Sequence, residues 1–359
     1  MGKKSRDISE KTRRIHESSR ENDGFFSTFF LRKISRLITY SLVETRITPN
    51  AITLFSIVLG FSAAYSAASK HYLLGGCLLL LSLIFDCVDG EVARYKEMFS
   101  PLGAWLDALS DRVKEFVYIF ALLWSVNEAQ CWNLGIIIVI LQTTRHLSDY
   151  NFAHLQKNFE NQLSKPRSVG FIYWIKKIFH LPIGERWLML AVLPIFLSIF
   201  SSLRIILIVG VLSYTYAWLT RFRRMRSWKQ NQSDAKFLSN QSDTLLPIKI
   251  MGSKSAWIIP SVLRLMEFLA FVAFLDISQL LKYLLLMTIA FWHYANLYDS
   301  LQNREPVFGK VGLRMAGRIS LCFIAVVTGF ASEMAIFLTI YLAALLLIRG
   351  GHNVAKGAK

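Results

Sequence analysis

Ten apolar stretches, each of roughly 14–24 residues and poor in charge, run through this 359-residue chain. They fall near 51–69, 72–88, 104–127, 134–152, 187–201, 204–220, 256–275, 278–298, 316–331 and 333–348. A helix needs about 20 apolar residues to cross a hydrocarbon layer ~30 Å thick, because each residue advances it by only 1.5 Å. The pattern therefore predicts an all-α, polytopic membrane protein. Composition agrees: 53% of the residues are hydrophobic and 18% charged, against roughly 45–50% and about 25% in soluble domains. A soluble enzyme, a disordered chain and a β-barrel are excluded. Cys77, Cys87, Cys131 and Cys322 lie in or beside apolar stretches and show no metal-site spacing.

The net charge of +17 admits two readings, nucleic-acid binding and basic loops on one side of a membrane. Placement separates them. Counting alternate sides from the N-terminus, 34 Lys and Arg fall on one side, and only Lys70 and Arg204 on the other. Basic loops are retained in the cytoplasm, where anionic headgroups attract them. The expectation is an inner-membrane protein with both termini cytoplasmic and no nucleic-acid partner.

Residues 1–24 read as a polar, mobile tail. In 25–43, Phe25, Phe26, Phe29, Phe30, Ile34, Leu37 and Ile38 are mixed with Arg32, Lys33 and Arg36. This suits an interfacial helix on the cytoplasmic face, or a cytoplasmic helix packed on loops. Thr48-Pro49-Asn50 opens the first span, since proline is tolerated in a helix's first turn. Segment 221–255 is basic and rich in Ser, Asn and Gln, a linker between six spans and four more.

The chemically informative stretch is 85–112. Asp86 and Asp89 stand at i, i+3, and Asp107 and Asp111 at i, i+4, so each pair shares one helix face. The first pair ends the second span and the second pair opens the third. Four carboxylates brought together there repel one another and resist desolvation. Divalent metal is the natural compensation, because Mg²⁺ and Mn²⁺ favour oxygen ligands and a two-metal clamp serves phosphoryl transfer. Gly90 and Gly103 allow close approach of a ligand, and the planar fork of Arg94 suits phosphate.

The pattern Asp86-x2-Asp89-Gly90-x2-Ala93-Arg94-x8-Gly103-x3-Asp107-x3-Asp111 resembles the full signature of the CDP-alcohol phosphotransferase family (also called CDP-alcohol phosphatidyltransferases). GEVARYKEMFSPLGAWLDALSDR is especially similar to the synthases that make di-myo-inositol phosphate phosphate. The resemblance covers roughly 30–220. It implies a six-helix catalytic unit within 25–220, followed by a four-helix membrane extension over 256–359. It also implies a reaction, in which a CDP-linked alcohol gives its phosphoryl-alcohol group to an acceptor hydroxyl and CMP leaves. The donor would be CDP-diacylglycerol or a CDP-polyol, and the product a phospholipid or an inositol-phosphate-type phosphodiester. Asp86, Asp89, Asp107 and Asp111 would hold two divalent ions, Mg²⁺ or Mn²⁺, and Asp111 would also be the general base. Asn50, Gly90, Arg94, Ser100 and Gly103 would meet the donor. Members are often dimeric, so a homodimer among membrane lipids is expected.

The acceptor side departs from the pattern. Many members carry Ser-Tyr-x-Arg-Ala late in the fourth span, where this chain reads Ser148-Asp149-Tyr150-Asn151-Phe152-Ala153. Arg145 and Arg186 could replace the missing arginine. Arg145 could equally pair with Asp149 at i, i+4 and seat the helix. His146 and His154 read as packed histidines, and His293 and Glu267 as partners in interhelical bonds. Rival readings are a transporter, for which intramembrane acids are also diagnostic, and a scaffold without catalysis.

Overall fold

The structure, a computed structural model, describes residues 2–19, 24–160, 170–225, 237–238, 256–302 and 311–357. Among these every regular element is helical. The order is α1 (Gly2–Ser18), a π-turn (Ser27–Leu31) leading into α2 (Arg32–Leu42), α3 (Pro49–Ala68), α4 (Tyr72–Tyr95), α5 (Pro101–Val126), α6 (Ala129–Glu160), α7 (Phe171–Phe179), α8 (Ile183–Phe196) and α9 (Ile199–Met225). A 3₁₀ turn (Ala256–Ile258) then enters α10 (Ile259–Phe274), and α11 (Gln279–Leu301), α12 (Arg314–Thr328) and α13 (Ala331–Gly357) complete the chain.

All ten expected spans are helical. The segments Pro49–Ala68, Tyr72–Tyr95, Ile199–Arg224, Ala256–Phe274 and Ala331–Gly351 are long and apolar enough to cross a membrane alone. Tyr173–Phe179 and Ile183–Phe196 qualify only as a pair, bent by 61°. Helices α5, α6 and α11 carry too many polar side chains to qualify alone, and α12, at 15 residues, is too short. The fifth span ends earlier than expected, at Phe196 rather than 201, because Leu197 is extended and the Ser198 hydroxyl accepts the Ser201 amide, capping α9. Helix α9 likewise runs past 220 to Met225, and most of the expected linker lies outside the described residues.

The chain divides into two compact units, residues 1–127 with 169–206 and residues 128–168 with 207–359. The division cuts across the expected 25–220 unit, since α6 and most of α9 group with the later helices. In the second unit α6 packs on α10 and α11. The His146 ring nitrogen Nδ1 lies 2.9 Å from the Tyr294 hydroxyl, and His154 stacks on Phe237. Glu267 on α10 gathers His293 (2.8 Å), Arg318 (2.6 Å) and Arg264 (3.7 Å), while Arg349 pairs with Asp299.

In the first unit α3 packs against both α4 and α5. Its inner face is small and polar: Thr53, Ser56, Gly60, Ala63, Ala64 and Ala67. Small side chains let helix backbones approach in apolar surroundings, where hydrogen bonds between helices add cohesion. Ser82 supplies such a bond, its hydroxyl donating to the Ser56 carbonyl at 3.0 Å.

The N-terminal segment is not the expected free tail. It forms α1, which lies on α2 and α4. Lys11 pairs with Glu44 at 2.7 Å, and Arg14 stacks over the Tyr95 ring. Helix α2 is amphipathic, as expected, but its polar face points inward. Glu91 is fully buried and accepts bonds from Ser19 (2.9 Å), Arg32 (2.9 Å), Ser35 (2.9 Å) and Thr39 (2.8 Å). The outer face of the π-turn and α2 exposes Phe29, Phe30, Ile34 and Leu37.

Removing one partner of a buried pair strands the other charge, at about 3–5 kcal/mol. Glu91→Ala should therefore lower the detergent melting temperature sharply and speed protease cleavage within 2–42. Unchanged melting would deny Glu91 its anchoring role.

Candidate active site

Two capped helix starts and one helix end converge on the carboxylates. The Thr48 hydroxyl accepts the Ala51 amide at the start of α3, and the Ser100 hydroxyl accepts the Gly103 amide at 2.9 Å at the start of α5. Helix α4 ends just beyond Asp86 and Asp89. Oxygens of Asp86, Asp89 and Asp107 all lie within 4.8 Å of one another. Asp111, the fourth expected member, stands apart from that trio. Its Oδ1 is buried, makes no hydrogen bond, and lies 3.4 Å from Lys114 Nζ.

Helix α3 supplies side chains that the sequence reading passed over. The Thr53 hydroxyl donates to Asp89 at 2.5 Å, and the Ser56 hydroxyl to Asp86 at 2.5 Å. A carboxylate with its lone pairs occupied is held in one orientation and its burial is partly compensated. Lys114 was also missed. Its ammonium group donates to Asp86 at 2.5 Å and to Ser56 at 2.9 Å.

The expected donor residues fall into two groups in the same unit. Asn50, Ser100 and Gly103 come together: a Cβ on Gly103 would sit 2.9 Å from Ser100 Oγ and 3.0 Å from Asn50 Oδ1. Glycine is required there by close approach, without any unusual backbone angle. Arg94 lays its guanidinium over Gly90, 3.2 Å from where a Cβ would stand, and its Nε donates to the Ser18 carbonyl at the end of α1.

The two expected acceptor residues sit in different units. Arg186 makes a bidentate pair with Glu115, at 3.0 and 3.1 Å, and Arg112 joins the same carboxylate at 2.7 Å. Arg145 lies 3.7 Å from Asp149, which is held more closely by Arg221 at 2.5 Å. The i, i+4 pair is thus present.

Residues 46–215 match the family model described as CDP-alcohol phosphatidyltransferase. That segment is a CDP-alcohol phosphatidyltransferase domain. It begins two residues before the α3 cap and contains every aspartate of the cluster, Lys114 included among its neighbours. Similar proteins include a bifunctional IPC transferase and DIPP synthase of Aquifex aeolicus, 35% identical over 138 residues, 36% of this chain and 31% of that protein. A phosphatidylinositol phosphate synthase of Mycobacteroides abscessus is 30% identical over 102 residues, 28% of this chain and 46% of that one. A CDP-diacylglycerol–serine O-phosphatidyltransferase of Mycobacterium tuberculosis is 33% identical over 99 residues, 28% and 34% of the two chains. The chain thus spans less than half the length of each of these relatives. A crystal structure of Mycobacterium tuberculosis phosphatidylinositol phosphate synthase with CDP-DAG bound superposes loosely, with a TM-score of 0.38 and 19% identity over 53% of this chain and 94% of that one.

The crowding at Gly103 is testable. A methyl group there pushes Ser100 off the α5 cap, whose loss is worth about 0.5–2 kcal/mol. Gly103→Ala and Ser100→Ala should lower the melting temperature by similar amounts, and the double variant by less than the two together. Full additivity would mean that the two residues do not share one cap.

Proposed function

We propose that the chain transfers a phosphoryl-alcohol group from a CDP-linked donor to an acceptor hydroxyl, with CMP as leaving group, in synthesis of a phospholipid or an inositol-phosphate-type phosphodiester. The convergence of Asp86, Asp89 and Asp107, inside a segment that matches the family, carries this reading. Three carboxylates this close suit a hard divalent ion, since such ions take oxygen ligands, and the buried, unbonded Oδ1 of Asp111 offers a fourth. Asp86, Asp89, Asp107 and Asp111 would hold two Mg²⁺ or Mn²⁺ ions. Bound there, the ions would neutralise the pyrophosphate of the donor.

The remaining work belongs to the protein. Thr53 and Ser56 fix Asp89 and Asp86 in orientation. Arg94 directs its planar fork to donor phosphate above Gly90. Asn50 and Ser100 approach the donor beside Gly103. Asp111 accepts the proton of the acceptor hydroxyl as the oxygen attacks phosphorus. Phosphoryl transfer asks chiefly for positioning and charge neutralisation, which this set supplies.

The proposed donor is CDP-diacylglycerol, the donor that one similar protein's name states, or a CDP-polyol. For the acceptor, Arg145 and Arg186 are the residues proposed to meet a phosphate, each of which already faces a carboxylate, Asp149 and Glu115. The basic loops favour an inner-membrane protein with the site and both termini cytoplasmic, and the resemblance favours a homodimer.

The test is CMP release from membranes given Mn²⁺ and a panel of CDP-alcohols, with product masses naming the acceptor. Asp111→Asn keeps an oxygen ligand but loses the base, so turnover should fall about 10²–10⁴-fold while metal-dependent donor binding persists. Asp86→Asn and Asp89→Asn should weaken donor binding itself. Wild-type CMP formation by all three aspartate variants would leave a transporter or scaffold as the better account.

Orientation has its own test. Single cysteines placed by Glu97→Cys and Ala235→Cys, in a background without the native four, should react with impermeant reagent from the same side. Labelling from opposite sides would overturn the arrangement of the loops.

A further inference from the structure

We propose that Lys114 is the internal counter-ion of the carboxylate cluster: its ammonium group holds Asp86 and Asp111 in place when metal is absent and competes with metal for them. The proposal rests on the metal reading above.

The placement of Lys114 carries it. The side chain is 1% exposed, and a lysine is almost never fully buried unless paired. Its three donors are accounted for by groups at the cluster. Two go to Asp86 at 2.5 Å and Ser56 at 2.9 Å, and the third faces Asp111 at 3.4 Å. Ser56 in turn donates to the other oxygen of Asp86, so lysine, serine and aspartate close a three-membered ring of hydrogen bonds.

The stem is accommodated as specifically as the head. A Cβ on Gly60 would stand 2.6 Å from Lys114 Cγ, so α3 lacks a side chain where the lysine passes. The Trp187 ring of α8 faces the ammonium at 5.4 Å, a favourable cation–π placement. At this depth the ammonium would be costly without these contacts, and all of them come from the cluster or the walls beside it.

The contact with Asp111 is long. At 3.4 Å the ammonium attracts the carboxylate without a full hydrogen bond, which leaves Oδ1 able to turn to another cation. A fixed positive charge within about 4 Å of a metal site repels incoming cations strongly where water is scarce. Lys114 therefore sets how tightly the site takes metal. It does this through charge and orientation; it makes no contact assigned to donor or acceptor and is a positioning residue.

The experiment uses the full chain in detergent, without donor. Mn²⁺ is titrated calorimetrically into wild type, Lys114→Met, Lys114→Gln and Asp89→Asn, and each is melted in chelator and in saturating Mn²⁺. Removing the charge should tighten the Mn²⁺ Kd about tenfold or more in both lysine variants. Both should melt below wild type in chelator, and the gap should close in Mn²⁺. Glutamine keeps a donor toward Asp86, so agreement of the two variants separates charge from packing. Mn²⁺ affinity equal to or weaker than wild type, or failure of both variants to fold even with Mn²⁺, would make Lys114 an ordinary structural lysine. If wild type binds no Mn²⁺, or Asp89→Asn binds it unchanged, the metal reading fails first; if binding depends on Asp89 and neither lysine variant tightens it, the counter-ion proposal alone falls.

Discussion

Like charges in a partly dry place repel, and the first unit is built around that repulsion. Asp86, Asp89 and Asp107 bring oxygens within 4.8 Å of one another, with Asp89 and the Asp86 side chain almost out of water. Left uncompensated, such a cluster would drive α4 and α5 apart or force its acids to take up protons. Helix α3 answers with hydroxyls at Thr53 and Ser56, and α5 with the ammonium of Lys114. The small inner face of α3 follows from the same need, since Thr53 and Ser56 reach the aspartates only if the backbones come close. One helix thus serves as a hydrogen-bonding wedge between the two that carry the acids.

A second buried carboxylate organises the outside of the unit. Glu91 stands between Gly90 and Val92, within the signature, yet it faces away from the cluster toward α1 and α2. Three of its four partners, Arg32, Ser35 and Thr39, recur at i, i+3 and i+7 on α2. Arg94, one turn further along α4, is met by the last carbonyl of α1. The end of α4 is thereby shared: one set of side chains for the acids, another for the N-terminal helices.

The helices and the two aspartate pairs were legible in sequence because their signals are local. Apolar runs are continuous, and the i, i+3 and i, i+4 spacings lie within a single turn. Thr53 and Ser56 were not, since ITLFSIVLG reads as a plain apolar span and their partners lie 36 and 30 residues away. Only the register of α3 on α4 reveals them. Lys114 was visible as a charge inside a span, three residues after Asp111, but nothing local says which way such a side chain turns. The N-terminal segment was misjudged for a related reason. Its polarity suggested a mobile tail, whereas Lys11 and Arg14 find their partners in Glu44 and Tyr95, far along the chain. The break at Leu197 had a local sign after all, the Ser198 cap, masked by hydrophobic residues on both sides.

The bonds to Glu91 also fix a height. Because Arg32, Ser35 and Thr39 engage one residue of α4, helix α2 can neither roll nor slide without breaking several of them at once. Rolling by a single residue, about 100°, would turn an apolar flank toward a buried carboxylate. The apolar outer edge of the π-turn and α2, with Phe29, Phe30, Ile34 and Leu37, is therefore locked at the level of Glu91, two positions from Asp89. Wherever that edge floats in a lipid boundary, the aspartates float at the same depth: the helix acts as a waterline for the chemistry beside it.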